Sequence, residues 1–411
     1  MELVRPTRRR VLMAAAAVGM APVLAGCSLP GSSGSSNDGP LIGMEYETWF
    51  TCAVGTQPST ANIQTQAAEK LAAIQLATGG SAKLTQYNAL QLATLSHDVD
   101  GSCSTRPSAG WNTREATPVL GTYESANPAV IKKHAELISG AGVDFLWLDW
   151  TNNLGGNWNN GVGLGIMAAT YSLAKTYLTL QTHPKFALVL GFDDGQVGTP
   201  TFDSQLNMVY DLFIKPPEMR ALYQYFLGKP LLGIFGGPNF AQPSFSDPRF
   251  TIRWVGGFDE VTHGNLLGRW SWIDRAPQVT YRTVLNSKGV PHQVPEAVTV
   301  AAGWPGGGGR ATGGWSSQGA RHHGQTLLTQ WKVAFDAQPE VVLLCQWNEF
   351  AEPDQWSPEW SNDMEPTQLN GYGAQGNGGW GTYYLDLTTT MVEAYKAGKP
   401  QPQVKLNTSM P

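Results

Sequence analysis

The sequence predicts an α/β protein of the (β/α)8 TIM-barrel class, with a loop and helix insertion after the first strand. Apolar strand-like runs alternate with helix-like segments, which is the pattern of parallel β/α units. The strand-like runs number eight, which is the count that closes such a barrel. They are residues 41–50, 118–124, 143–150, 185–192, 230–237, 251–257, 297–304 and 340–347. A doubly wound open sheet is the alternative, but no glycine fingerprint follows the first run.

Helix-like segments separate most of these runs. The clearest begins after Asn127, a suitable cap residue, has Pro128 at its first position and ends near Gly140. Others are predicted around 163–180, 204–226, 324–338 and 383–398. The insertion spans about 51–115 and contains a further helical stretch.

The first 39 residues are expected to stand apart from the fold. Residues 1–27 have a basic start, an apolar stretch and then small residues, which is typical of a signal peptide and too short for a membrane span. Thr7–Leu12 resembles a twin-arginine export signal. The segment ending at Cys27 resembles a bacterial lipobox, whose cysteine is lipidated. Residues 28–39 are a Ser/Gly tether, so 40–411 is predicted to be a single catalytic domain.

Composition favours an uncharged, polyhydroxylated partner over nucleic acid. Only 14% of residues are charged, whereas the chain contains 15 Trp and 47 Gly. Residues 1–27 hold four Arg and one Glu, so the remainder has 23 basic and 31 acidic residues, a net charge of about −8. It has no basic run, and phosphate binding needs clustered Lys and Arg. Tryptophan rings can stack on sugars, although most of these rings are expected in the core.

Aromatic, acidic and amide residues gather where the predicted strands end. Because the carboxyl ends of barrel strands converge on one face, these residues are expected to line one acidic, aromatic cleft. They are Glu45, Tyr46, Glu47 and Trp49; Tyr123 and Glu124; Asp149, Trp150 and Asn152; Asp193; Trp304; and Trp347, Asn348, Glu349 and Glu352. Cleavage of a glycosidic bond needs two carboxyl groups in such a cleft.

Several of these acids have a structural alternative. Asp149 could cap the following helix, Asp193 could belong to a turn, and Glu124 could be a first-turn helix acid. Glu349 and Glu352 fit such a role least well, because they directly follow a core strand and are flanked by Trp347 and a second tryptophan.

The motif Trp347–Glu352, WNEFAE, resembles the Trp-Asn-Glu-aromatic-x-Glu motif of glycoside hydrolase family 99 and the related family 71 barrels. The later segment 362–367, NDMEPT, resembles the Glu-Pro element that follows it, and the likeness covers about 41–395. It implies cleavage of an α-linked mannoside with retention, either within a glycan or at its end, with Glu349 as the base on the sugar's own 2-hydroxyl and Glu352 as the acid/base. The insertion and a Gly-rich loop at 303–324 depart from the family's pattern, so the resemblance does not establish which sugar is the substrate.

The sequence thus predicts an exported glycoside hydrolase, anchored to the cell membrane by its lipid alone. It is expected to act as a monomer on a polysaccharide or oligosaccharide, without a cofactor or metal. A glycan-binding lipoprotein without catalytic activity is the alternative. A metal-dependent hydrolase built on the Asp cluster is disfavoured, because histidine ligands are missing. Cys52 and Cys103 lie in polar sequence and could form a disulfide, whereas Cys345 is expected to be a buried thiol.

Overall fold

Eight parallel strands form a nearly closed barrel. In this computed structural model the described residues are 39–48, 50, 118–121, 123, 125–151, 161–192, 200–236, 245–256, 269–271, 279–303, 320–349, 359, 361–369 and 379–411. The strands are β1 (Leu41–Tyr46), β2 (Phe145–Trp150), β3 (Lys185–Phe192), β4 (Tyr225–Phe226), β5 (Lys229–Gly236), β6 (Thr251–Gly256), β7 (Arg269–Ser271), β8 (Thr280–Leu285), β9 (Pro291–Ala301) and β10 (Val341–Cys345). The predicted signal peptide and nearly all of the predicted tether lie outside the described residues.

The sheet order is β7-β6-β5-β3-β2-β1-β10-β9-β8. All neighbours pair in parallel except β8, which forms an antiparallel hairpin with β9, and the short β4 pairs antiparallel with β5. The two ends of the sheet come close together, which nearly closes the barrel. Ser271 Oγ of β7, at one end, accepts a hydrogen bond of 3.3 Å from Thr299 N of β9, near the other. The Thr280 hydroxyl also donates to the Arg269 carbonyl at 2.5 Å. The (β/α)8 fold class is therefore confirmed.

One of the eight predicted strand positions is wrong, and one strand of the barrel was not predicted. Residues 118–124 form no strand in their described part, where only Pro118 pairs with Thr367 in an isolated bridge. Gly121 has φ of +74°, which interrupts extended backbone, and Val119 is 56% exposed. The missing barrel strand is β7, which has three residues and is too short to show a periodic pattern.

Helices cover the outside of the barrel. They are α1 (Pro128–Gly140), α2 (Gly161–Tyr177), α3 (Pro200–Val209), α4 (Pro217–Leu222), α5 (Gln325–Ala337) and α6 (Tyr383–Lys396), with a π turn at Tyr210–Ile214. The predicted start of α1 is confirmed, since Asn127 Oδ1 accepts from Ala129 N at 2.9 Å and Pro128 occupies the first turn. Its buried side chains recur at helical spacing and include His134. No helix in the described part of the chain is long and apolar enough to cross a membrane.

Aromatic rings fill the barrel interior. Trp147 of β2 and Trp270 of β7 are fully buried, with ring centroids 5.7 Å apart. Gly233 of β5 makes room for them, because a Cβ atom there would lie 2.5 Å from Trp147 Cζ2. Side chains alternate between the two faces of a strand, so Asp149, two residues after Trp147, and Glu45, two residues after Gly43, also point inward. Their carboxyl groups therefore lie at one end of the packed interior.

Candidate active site

Three buried carboxyl groups meet at the carboxyl ends of β1 and β2. The register pairs Glu45 with Trp147 and Tyr46 with Leu148, so Glu47 and Asp149 follow as neighbours just past the last pairs. Glu45, Glu47 and Asp149 each offer an oxygen within 4.8 Å of the others. All three are less than a tenth exposed. The end of the barrel at which such sites form therefore carries a dense acidic cluster, as the strand-end pattern predicts.

Glu47 and Asp149 are hydrogen-bonded through their carboxyl groups. Burial, followed by the charge of Asp149, raises the pKa of Glu47 well above its ordinary value. Asp149 Oδ1 also accepts from Thr151 N at 2.5 Å. The raised pKa favours the protonated form of Glu47, which can donate a hydrogen bond to the Asp149 carboxylate. The other oxygen of Glu47, Oε2, is buried and has no hydrogen-bond partner among the described residues.

Glu45 is the second acid at this end of the barrel whose pKa is raised, which favours its protonated form. Burial is the main cause that raises its pKa well above the ordinary value, and the charge of Asp149 adds to it. The Cys345 thiol, at the end of β10, donates to Glu45 Oε2 at 2.8 Å. Cys345 is a buried free thiol, as predicted, and burial raises its pKa as well.

Glu349 joins this cluster from the segment that follows β10. Its charge contributes to the raised pKa of both Glu45 and Glu47, so its carboxylate faces the same site. Its backbone N–H donates to an Asp363 carboxylate oxygen, and its own carboxylate accepts from the Gln346 side-chain amide. These contacts hold the Glu349 side chain and backbone in one place at the edge of the acidic cluster.

The segment 361–365 supports Glu349 from behind. Gln346 N donates to the Asn362 carbonyl at 3.1 Å, and Met364 N donates to the Gln346 carbonyl at 2.9 Å. Buried Arg321 donates to the Asp363 carbonyl at 2.7 Å, while its guanidinium carbon lies 4.0 Å from the centre of the Trp380 ring. Analysis of the sequence alone missed Gln346, Asp363 and Arg321 as site residues. The sequence shows Asp363 only as part of a polar run, Ser361–Asp363, and the burial of that run appears only in the structure.

Two of the four tryptophans expected in the cleft, Trp150 and Trp347, are among the described residues, and both lie outside the acidic cluster. Trp347 is fully buried, and its ring contacts His134 of α1 edge-on at 5.3 Å. Trp150 donates from Nε1 to Thr170 of α2 at 2.9 Å and packs against Phe213. Both rings therefore fill the layer between barrel and helices. The prediction differs because β10 ends at Cys345, two residues before the predicted strand end, so side-chain alternation does not carry on to Trp347.

Two tyrosines and an amide lie just behind the acids. Tyr46 and Tyr123 are buried and point toward α1, where both rings contact His134 edge-on. Burial raises the pKa of both hydroxyls well above the ordinary value. Asn348 binds the backbone of Glu47 at both N–H and carbonyl. These residues are placed to support the acids and not to contact a ligand directly.

The remaining predicted site residues lie outside the described residues. They are Trp49, Glu124, Asn152, Asp193, Trp304 and Glu352, together with Cys27, Cys52 and Cys103. In the described part of the chain, Glu45, Glu47 and Asp149 are the carboxylates close enough to hold one hard cation between them. The raised pKa values of Glu45 and Glu47 also suit a site that both donates hydrogen bonds to sugar hydroxyls and accepts them.

The raised pKa values predict that stability falls as pH rises. A carboxyl group whose folded-state pKa lies above its unfolded value, near 4.3, stabilises the fold below that value and loses this contribution as pH rises through the folded pKa. Glu47→Gln keeps a donor to Asp149 but cannot ionise. We expect the fall in unfolding free energy between pH 5 and pH 8 to be smaller in this variant, by about 1.4 kcal/mol for each pKa unit spanned. Urea unfolding at several pH values measures it, with exposed Glu136→Gln as the control. Equal pH slopes in wild type and Glu47→Gln would contradict the raised pKa of Glu47.

Comparison with known proteins gives structural matches at low sequence identity. No protein-family model matches the chain, and a search among curated proteins finds no similar sequence. The chain is similar to a GH99 endo-α-mannosidase from Bacteroides thetaiotaomicron in complex with BIS-TRIS-propane, at 15% identity over 87% of this chain and 98% of that one, with a TM-score of 0.49. Another structure of a GH99 endo-α-mannosidase from this bacterium has 15% identity, the same coverage and a TM-score of 0.48. A glycoside hydrolase-like protein has 13% identity over 67% of this chain and 89% of that one, with a TM-score of 0.45. The first two belong to the family that the Trp347–Glu352 motif resembles.

Proposed function

We propose that this protein is a glycoside hydrolase that cleaves an α-linked glycan at the carboxyl end of its barrel. The observation that carries the proposal is the placement of Glu349 beside Glu45, Glu47 and Asp149 in one buried site, where the pKa values of Glu45 and Glu47 are raised. Glycosidases need titratable carboxyl groups whose surroundings push their pKa values apart, so that one donates a proton while another stays ionised.

Glu349 is proposed as the base and Glu352 as the acid/base. In the first step Glu352 protonates the departing glycosidic oxygen while Glu349 removes the proton from the sugar's 2-hydroxyl. That oxygen attacks the anomeric carbon as the glycosidic bond breaks, which leaves a cyclic 1,2-anhydro sugar. In the second step Glu352 takes a proton from water, the water oxygen attacks the anomeric carbon, and Glu349 returns its proton to the 2-oxygen. The hydrogen bond that the Gln346 side-chain amide donates to Glu349 supports the role of Glu349 as the base, because it stabilises the ionised carboxylate.

Glu45, Glu47 and Asp149 are proposed to bind the hydroxyl groups of the sugar beside the bond that breaks. A protonated carboxyl group donates and a carboxylate accepts, so a pair in which one member is protonated can serve both ends of a vicinal diol. The unpartnered Oε2 of Glu47 supports this role, since a buried oxygen without a partner gains a hydrogen bond when a hydroxyl arrives. Trp49 and Trp304 are proposed as the aromatic surfaces of the same cleft.

A glycan-library screen with the purified protein tests this proposal, scoring binding and cleavage on the same library. We expect at least one α-linked glycan to be cut, with the new reducing end identified by mass spectrometry. Binding without cleavage across the library would replace the enzyme by a glycan-binding lipoprotein. The same screen with EDTA, and again with added Ca²⁺, tests the expectation that no metal is needed.

We further propose that the protein is exported and held at the cell membrane by a lipid on Cys27. The basic and apolar character of residues 1–27 supports it, as does the Ser/Gly tether that follows. Cys27→Ser should move the protein from the membrane fraction to the soluble fraction, because no acyl chains can then be attached. Fractionation followed by immunoblotting measures this. A wild-type protein found wholly in the soluble fraction would rule out the anchor.

A further inference from the structure

Behind the acidic site, a continuous chain of hydrogen bonds runs from α1 to the backbone of Glu47. Every side chain in it is at most 1% exposed. The chain links Tyr46, His134, Glu365, Tyr123, Asn348 and the Glu47 backbone. Its bonds measure 2.9 Å from Tyr46 to His134, 3.1 Å from His134 to Glu365, 2.6 Å from Tyr123 to Glu365 and 2.9 Å from Asn348 to Tyr123. The proposed catalytic roles leave these groups unused.

One assignment of hydrogens gives every donor in this chain an acceptor. The Glu365 carboxylate can only accept, so it receives the Tyr123 hydroxyl on Oε2 and the His134 Nε2–H on Oε1. The neutral imidazole then accepts the Tyr46 hydroxyl on Nδ1. Because the Tyr123 proton points to Glu365, the Tyr123 oxygen is left to accept from Asn348 Nδ2. The amide of Asn348 is thereby fixed in one of its two orientations.

In that orientation the Asn348 amide takes the place of a peptide group. The last backbone bond between β1 and the chain after β10 is from Trp347 N to the Glu45 carbonyl, at 2.8 Å. Beyond it, Asn348 Oδ1 accepts from Glu47 N at 2.8 Å, and Asn348 Nδ2 donates to the Glu47 carbonyl at 3.2 Å. The amide thus continues the ladder past the strand ends. It ties the segment that carries Glu47 to the segment that carries Glu349.

We propose that Glu365 and Tyr123 are positioning residues for the active site, acting through the orientation of the Asn348 amide. The proposal rests on the proposed function for its effect on rate. Without an acceptor at position 365, the Asn348 amide oxygen is the nearest acceptor that this network of described residues offers to the Tyr123 hydroxyl, and it can accept only if the amide turns over. The Asn348 NH2 group would then face the Glu47 N–H, two donors would oppose each other, and the link between the two acidic segments would break.

Conservative and non-conservative variants separate this role from simple packing. Glu365→Gln keeps an oxygen for the Tyr123 hydroxyl, and its NH2 group can donate to the other tautomer of His134, so kcat should stay within about threefold of wild type. Glu365→Leu removes the acceptor at similar volume, and kcat should fall roughly 10- to 100-fold while KM changes little. Tyr123→Phe leaves Asn348 its two bonds to Glu47, so its loss should be smaller. Adding Tyr123→Phe to Glu365→Leu removes the opposing donor and should recover part of the lost rate.

An activity-independent measurement distinguishes failure of this proposal from failure of the proposed function. The side-chain amide of Asn348, assigned with Asn348→Asp, should give a slowly exchanging NMR signal in wild type and in Glu365→Gln. In Glu365→Leu that signal should shift and lose its protection. A wild type without glycosidase activity would overturn the proposed function while this signal still decides the positioning role. An Asn348 signal that is unchanged in folded Glu365→Leu, or equal kcat losses in Glu365→Gln and Glu365→Leu, would overturn the positioning proposal.

Discussion

Glu349→Gln and Glu352→Gln should each lower the rate of glycan cleavage by about 10²-fold or more. A positioned general acid or base contributes about this much, and glutamine can neither accept nor release the proton. Binding of the intact glycan should survive in both variants, because the sugar's hydroxyl groups are held by other residues. The loss should therefore appear in kcat and leave the dissociation constant almost unchanged.

The matched control is Glu359→Gln, which removes a carboxylate from the same stretch of chain. Glu359 is partly exposed and lies outside the acidic cluster, so this variant should cleave at the wild-type rate. Wild-type rates in both Glu349→Gln and Glu352→Gln would show that the catalytic carboxyl groups lie elsewhere, with Glu47 and Asp149 as the next candidates.

Arg253→Met should destabilise the protein by about 3 kcal/mol, because it removes one partner of a buried ion pair. Arg253 donates to both carboxylate oxygens of Glu296, at 2.6 and 2.7 Å, and that side chain is only 3% exposed. Trp270, whose ring fills the barrel interior, also donates to Glu296 at 2.7 Å. Loss of Arg253 leaves a buried carboxylate with this neutral donor and with Arg282 at 3.7 Å. Urea unfolding measures the change.

Two further variants make this test specific. Arg282→Met breaks a pair with Glu340, whose side chain is 38% exposed, and a longer contact of 3.7 Å with Glu296. Because Glu296 keeps both of its bonds from Arg253, this variant should cost below about 1 kcal/mol. The double variant Arg253→Met with Glu296→Leu should recover much of the stability that Arg253→Met loses, since no charge is then left buried. A loss for Arg253→Met no larger than that for Arg282→Met would contradict the assignment of Glu296 as a buried ion.

The barrel could be predicted from sequence because its long strands are apolar and its helices carry clear start signals. Strands such as β3 and β5 are buried on both faces and appear as continuous apolar runs. The exception is β7, whose three residues carry no periodic pattern. The hydroxyl groups of Ser271 and Thr280, and not backbone pairing alone, connect β7 to the β8–β9 hairpin. Such side-chain hydrogen bonds leave no periodic pattern in the sequence.

The acidic residues of the site could be predicted because chain order alone places them at or just beyond the carboxyl ends of strands. Glu45 and Asp149 lie in the last two residues of β1 and β2, and Glu47 and Glu349 come shortly after β1 and β10. The supporting residues could not, since Asp363 and Glu365 reach the site by packing of a segment 14 to 16 residues beyond Glu349. The aromatic side chains could not be assigned to a face either, because the position of the strand end decides which way a ring points.

A crystal structure of Glu349→Gln with its best glycan bound tests the central claim most directly, because this variant should bind without cutting. We expect the glycan in the cleft beside Glu45, Glu47 and Asp149. The glycosidic oxygen should lie within about 3.2 Å of Glu352, with the sugar's 2-hydroxyl beside residue 349. A glycan bound away from this end of the barrel, or bound here with neither residue near the glycosidic bond, would contradict the proposed active site.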